Sequence, residues 1–429
     1  MLELNPLIMA LKRYLLVLFS ATLLLAAAAC QGGVAETSPP PGSLGQAGID
    51  EGGTPVEART FEALWQAVEE HYVHYGLARD DWQEAYRLYR NEVVGTSEEE
   101  FAETINAALG MLPDGAAAWQ SRADRIESER VDSQRYEGVG AFIAYRDVPE
   151  PHIVVLEVVP GSPAESAGLQ AHDSILSIDG VPITDEEGIT AVERIRGPSG
   201  SEVLLLVRSP DQAVREVAVT RASLVAFGNI KSAYFGDSAI GYMILPPAAY
   251  EGMLNDFLAH LQAFTQGGER PLSGLIIDLR VANSGAGWPL DQMLAIFADG
   301  SLGEFITAAE AQPVEVEGQD VLGSQTVPLI VLAGRHTQGL PEIFTGLVQS
   351  SGRGLVVGQS TLGAIEGVQE FPLPDGSVIM VSTVSFVTST GRDIGLAGVT
   401  PDVPVAAEWD EVMEGRDPVI NQAIEILTN

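Results

Sequence analysis

Apolar positions along the 429-residue chain change their spacing three times. The first regime is helical. Phe61, Leu64, Trp65, Val68 and Tyr72 fall on one helical face, and Trp82, Ala85, Tyr86 and Tyr89 repeat the pattern. Ser97 and Glu100 form a capping box ahead of Phe101, Ile105 and Leu109. This spacing predicts an N-terminal helical region over 58–130, with its aromatic stripe turned into a core. His71 and His74 lie three apart within it, but no acidic or cysteine partner completes a metal set.

The second regime, over 134–222, is β-rich. Ile153 to Val159 reads as a strand. A Pro-Gly-Ser-Pro turn at 160–163 and a short helix follow, closed by Gly168. Asp173 to Ile178 is a strand running into the Asp179-Gly180 turn. Ile189, Val192 and Ile195 form a helical stripe, and Val203–Val207 and Val214–Val219 are two more strands. The third regime, over 230–410, alternates strand and helix. Ile240–Leu245, Leu275–Arg280, Val327–Leu332 and Leu355–Val357 are strands. Stripes at Leu254–Leu261 and Leu290–Ala298, and a helix opened by Pro341, lie between them. That order predicts a mostly parallel sheet with helices on its faces. A C-terminal helix is expected in 411–429. The fold class is therefore multidomain α+β.

The N-terminus follows a different logic. Lys12 and Arg13 precede an apolar run from Tyr14 to Ala29, ending in four alanines before Cys30. Basic start, apolar middle and small residues at the cut read as a secretory signal peptide over 1–29. The run is shorter than the roughly 20 residues of a spanning helix. An uncleaved anchor is the alternative. The cut resembles a bacterial lipobox, with Cys30, the only cysteine, as the lipidation site. The expected location is extracytoplasmic, lipid-anchored to the cell membrane. Residues 30–57 are rich in Gly and Pro and read as a flexible tether.

Composition narrows the chemistry. Fifty-nine acidic residues against 23 basic ones give a net charge of −36, which repels phosphate backbones and argues against nucleic acid. One cysteine excludes an intrachain disulfide framework and thiolate metal clusters. Only Lys12 and Lys231 are lysines; the other basic residues are arginines, which cannot act as a base near neutral pH.

Residues 134–222 resemble a PDZ domain. Gly138, Val139, Gly140, Ala141 and Phe142 take the place of that family's carboxylate-binding loop. Its backbone N–H groups converge on a peptide terminus while the next strand edge pairs with the peptide. Together the three regimes resemble a C-terminal processing peptidase, the tail-specific serine protease family, over about 58–408. The run Asp278-Leu-Arg-Val-Ala-Asn-Ser-Gly-Ala-Gly287 resembles the family's Asp-Leu-Arg turn with one extra residue. Residues 331–346 resemble its nucleophile strand and helix, 352–358 the strand leading to its lysine loop, and 371–376 and 398–403 its closing motifs.

The resemblance implies a serine nucleophile at a helix N-terminus and a lysine base 25 residues later. No cofactor is implied. In Thr337-Gln-Gly339-Leu-Pro-Glu-Ile343 the serine position is Gly339. In Gly358-Gln-Ser-Thr-Leu-Gly-Ala364-Ile the lysine position is Ala364. Gln369 stands near the family's supporting glutamine, and Gly285 and Leu340 are the oxyanion-equivalent positions. Relatives with a catalytic histidine keep it in a Gly-Asp-Pro-His-Thr run, and here Ala116 takes its place.

No intact catalytic residue is therefore expected, although the family is one of hydrolases. The reading is a pseudoprotease that binds peptide or protein C-termini as an adaptor or regulator, with homo-oligomers or hetero-oligomers with active relatives left open. Two alternatives stand. One is an active serine-type endopeptidase with a relocated nucleophile among Thr337, Ser350, Ser351, Ser360 and Thr361, with His336 nearby. The other is a small-ligand carrier, since the same fold resembles modules of retinoid-binding proteins.

Overall fold

The computed structural model describes residues 55–125, 137–223, 228–267, 272–284, 287–365, 367–413 and 415–429. The signal segment, Cys30 and the tether as far as Thr54 lie outside the described residues. No helix among the described residues is long and apolar enough to cross a membrane.

Helices α1 (Val56–His71), α2 (Tyr75–Tyr89) and α3 (Glu98–Leu109) form where the helical spacing places them. Phe61, Leu64 and Val68 of α1 share one buried cluster with Trp82 and Ala85 of α2 and Phe101 and Ile105 of α3. The capping box closes as expected: Glu100 N–H donates to Ser97 Oγ, and the Ser97 N–H donates to Glu100 Oε2 at 2.9 Å. This region is not wholly helical, which corrects the expectation for 58–130. Strand β1 (Ala117–Gln120) pairs antiparallel with Val378–Ser382, and Leu373, Ile379 and Val381 belong to the same core as Phe61. His71 stacks on Phe371 with ring centroids 4.3 Å apart, and His74 faces Asp393 at 3.7 Å. No metal-holding group occurs among the described residues.

The second region is an antiparallel sheet of β2 (Ala141–Arg146), β3 (His152–Val158), β4 (Ser174–Ile178), β5 (Glu202–Arg208) and β6 (Arg215–Thr220), in that order. The stripe at 189–195 forms a 3-10 helix, Gly188–Arg194, rather than an α-helix. Alternation sorts the side chains of β3. Ile153 and Val155 enter the module's own core, while Val154 and Leu156 face outward.

The third region is built on a six-stranded sheet. β7 (Lys231–Phe235) pairs antiparallel with β8 (Ile240–Ile244). Then β9 (Gly274–Asp278), β12 (Leu329–Ala333), β13 (Leu355–Gly358) and β17 (Val403–Pro404) follow in parallel. Every residue of β9 and β12 is buried, as a strand covered on both faces requires. Leu275, Ile277, Leu329 and Val331 point to one face, against helices α4 (Met253–Gly267), α5 (Leu290–Phe297) and α6 (Leu340–Ser350). Ile276, Ile330 and Leu332 point to the other, against Val419 and Ala423 of α7 (Pro418–Thr428). At Gly274 a Cβ would lie 2.7 Å from the Leu427 side chain, which would have to shift to make room.

A second sheet completes this region. β10 (Gly300–Thr307) pairs with β11 (Ala311–Val316) and with β16 (Val384–Thr388). Helix α6 is buried almost all round because it runs between this sheet and the parallel one. The hairpin β14 (Val368–Pro372) and β15 (Val378–Ser382) reaches back to β1.

The PDZ-like module is fastened over the carboxyl ends of the parallel strands. Val154 and Leu156 pack with Val281 and Trp409. The Trp409 indole N–H donates to the Val155 carbonyl at 3.2 Å, and His172 Nδ1 lies 2.6 Å from the Trp409 carbonyl. Asp410 receives three groups from the module: the Arg146 guanidinium, His152 Nε2 at 2.9 Å and the Ser174 hydroxyl at 3.1 Å. Burial opposes ionisation of Asp410, but His152 and Arg146 hold its carboxyl down at about 2.

Candidate active site

The elbow before α6 is built by two parallel pairings. Asn283–Ser284 lies beside Gln338–Gly339, with Ser284 opposite Gly339. Gln338 N–H donates to the Ala282 carbonyl at 3.0 Å, which ties the turn after β9 to the start of α6. Gly339 is the N-cap of α6, with φ 67° and ψ −140°. This is a backbone region that side-chain-bearing residues enter only at a cost. Strand, sharp turn and buried helix together aim position 339 at the carboxyl end of the sheet.

The 358–365 loop lies against this elbow. Gly339 N–H donates to the Ala364 carbonyl at 2.6 Å. The two sequence-predicted positions are thus brought together, and both are empty of functional groups. Between them the loop is clamped by Glu342, one turn into α6. Glu342 Oε1 accepts from Gly363 N–H at 2.7 Å, while its Oε2 is buried with no hydrogen-bond partner among the described residues. Glu342 is fully buried. Burial pushes its carboxyl above the usual range, and hydrogen bonding to the loop pulls it back only in part.

Leu340 is the first helical residue, so its N–H has no acceptor within the helix, and Pro341 supplies no N–H at all. Gly285, the other expected oxyanion position, lies outside the described residues. Gln369 is exposed on β14. Ala116 is buried in the helical core, with its carbonyl accepting from Ser382 N–H at 2.9 Å.

Four of the alternative hydroxyls are engaged elsewhere. Thr337 is buried; it donates to the Leu279 carbonyl at 2.8 Å and accepts from Gly334 N–H at 2.9 Å. Thr361 accepts from Val399 N–H at 2.7 Å. Ser350 and Ser351 donate back to the Leu347 carbonyl within their own helix, and Ser360 is exposed. Burial and the neighbouring Arg335 push His336 down to about 4, so its ring is neutral at pH 7. Lys231 sits on β7, at the opposite edge of the sheet from β13 and the 359–365 loop, and pairs with Glu157 at 2.9 Å.

Two residues here escaped the sequence reading. Glu342 has the only local signal, an acid in the first turn of a helix. Ser284 faces Gly339 across the short ladder, and its hydroxyl accepts from Ala249 N–H at 3.2 Å. Nothing in its flanking sequence marks it.

In the PDZ-like module, the backbone of Gly138–Phe142 leads into β2, an edge strand of its sheet. The carbonyls of Val139 and Gly140 are taken by Ala164 N–H at 2.8 Å and Val159 N–H at 2.9 Å. Val139 and Ala141 turn into the module's core, whereas the Phe142 side chain packs toward Val281 and Trp409. The loop is held by its own module, and the free edge of β2 faces the 188–194 helix.

An elbow at a helix start, a facing loop 25 residues on and a PDZ module define a serine-peptidase scaffold. Residues 239–405 match peptidase family S41, and residues 154–209 match the PDZ domain. A carboxyl-terminal-processing protease of Picosynechococcus sp. is 30% identical over 361 residues, covering 80% of this chain and 82% of the relative. The chloroplastic C-terminal processing peptidase of Tetradesmus obliquus is 27% identical over 381 residues, covering 82% and 79%. The fold is similar to that of a photosystem II D1 C-terminal processing protease, with TM-score 0.60 at 23% identity over 88% of this chain and 98% of that one. The chain belongs to peptidase family S41, among the C-terminal processing peptidases.

Proposed function

We propose that the chain is an exported lipoprotein that holds peptide or protein C-termini without cleaving them. The observation that carries this reading is the pairing of Gly339 with Ala364. Their backbones meet at 2.6 Å, yet one contributes no side chain and the other a methyl group. A serine peptidase needs a nucleophile within hydrogen-bond reach of its base. With both absent, the remaining donors bind without attacking.

The binding half of the reading rests on the PDZ module. Its edge strand and glycine loop suit an extended peptide ending in a free carboxylate. Attachment through Cys30 and the Gly/Pro-rich segment after it would place this module outside the membrane, where it could present termini to active relatives. The test is fluorescence anisotropy with one apolar-ended peptide made with a free or an amidated C-terminus, followed by mass spectrometry of the recovered peptide. The reading predicts tighter binding of the free acid, with the peptide recovered whole. Equal binding of the two forms would remove the carboxylate-recognition claim, and shortened peptide would remove the inactivity claim.

A further inference from the structure

A cleft of about 840 Å³ lies between the PDZ module and the parallel sheet. Neither Gly339 nor Ala364 lines it. One wall is β3 and the 168–173 loop; the other is the ends of β8 and β9 with the segment 409–420. Its size falls within the range of ligand-binding cavities, and its place outside the carboxyl ends of parallel strands is where open α/β sheets hold ligands. Much of the wall is apolar, including Leu156, Leu169, Ile244, Val281, Trp409 and Met413.

The polar groups on the wall are unevenly paired. Arg280 is neutralised by Asp278 at 2.7 Å and Asp417 at 2.6 Å. Lys231 is engaged by Glu157 Oε1 at 2.9 Å. Both wall cations are therefore already paired. One buried acceptor is not. Glu157 is 5% exposed, and its Oε2 is buried with no hydrogen-bond partner among the described residues. His172 Nδ1 faces the Trp409 carbonyl, which leaves Nε2 of the neutral ring as an acceptor. Of the other carboxylates on the wall, Asp173 is paired with Arg215 at 3.0 Å and Asp417 with Arg280, and Glu165 accepts from Gly161 N–H at 2.7 Å. An orphaned buried oxygen costs free energy that a donor would recover.

We propose that this cleft binds an apolar molecule carrying a protonated amine, with Glu157 receiving the amine. The apolar body packs on Trp409 and its neighbours. The amine donates to Glu157 and competes with Lys231 for the same carboxylate. An anionic ligand of the same shape meets acceptors and no unpaired cation.

The test is titration calorimetry on the full-length protein at pH 8 with 4-phenylbutylamine, 4-phenylbutanol and 4-phenylbutyrate. The proposal predicts that the amine binds at least tenfold tighter than the alcohol or the acid. Glu157→Gln should remove that preference. Lys231→Met should strengthen amine binding several-fold, because the Lys231 side chain is 58% exposed and its loss releases Glu157. This second variant decides the matter if Glu157→Gln does not fold. Equal affinity for the three probes, no binding of any, or weaker amine binding in Lys231→Met would overturn the proposal.

Discussion

The Gly339 amide and the Ala364 carbonyl are joined by a 2.6 Å hydrogen bond. In family S41 these positions resemble those of the nucleophile and its base, 25 residues apart in the chain. On the proposed reading, this frame is kept while the nucleophile and base it would serve are absent. That frame does not depend on a lysine. Glu342 holds the loop through the N–H of Gly363.

Glu342→Ala should therefore loosen the loop although no catalytic group is touched. It leaves the Gly363 N–H without its acceptor, which costs about 1–3 kcal/mol. Urea unfolding should show that loss, and hydrogen exchange should show faster opening of residues 361–364. An unchanged midpoint would mean the clamp contributes little.

Gly339→Ser places a side chain at φ 67°, ψ −140°. Residues with side chains pay about 1–3 kcal/mol for such backbone regions, a strain characteristic of functional sites. The single variant should unfold at lower urea than the natural protein. It should remain unable to cleave, since no base faces it. Stability equal to that of the natural protein would show that the elbow carries no strain.

The neutral, buried His336 should make stability fall as the solution becomes acidic. Its folded value is about 4, against 6.5 ordinarily. Above pH 6.5 the ring is neutral whether folded or unfolded and contributes nothing. Between 6.5 and 4 only the unfolded chain takes up the proton, so stability drops as pH falls, by at most about 1.4 kcal/mol per pH unit. His336→Gln should flatten that slope in chemical denaturation. Asp410, held at about 2, acts in a lower window, losing its contribution as pH falls below its ordinary value of 3.8. A slope between pH 6.5 and 4 that is identical in His336→Gln would assign the acid sensitivity to other groups.

Much of this architecture was legible in the residues because its signals are local. Ser97 and Glu100 announced a capped helix, and the unbroken apolar runs at 275–277 and 329–332 announced strands buried on both faces. Gly339 and Ala364 could be placed because each stands in a recognisable flanking run. What escaped depends on long-range partners. Strand Ala117–Gln120 is four residues with no alternation, and it forms because Val378–Ser382 offers an edge more than 250 residues later. The Trp409-Asp410 anchor sits in an acidic stretch that reads as solvated surface, yet Arg146, His152 and Ser174 converge on it. The cleft behind Trp409 exists only once the two regions are docked.

The central claim is that an intact elbow and loop lack only their chemical groups. Incubating the full-length protein with an unstructured protein substrate, beside its Gly339→Ser/Ala364→Lys double variant, tests this most directly. The account predicts no cleavage by the natural protein and measurable cleavage by the double variant. Cleavage by the natural protein, abolished by Ser284→Ala or Ser360→Ala, would contradict it and place the nucleophile elsewhere.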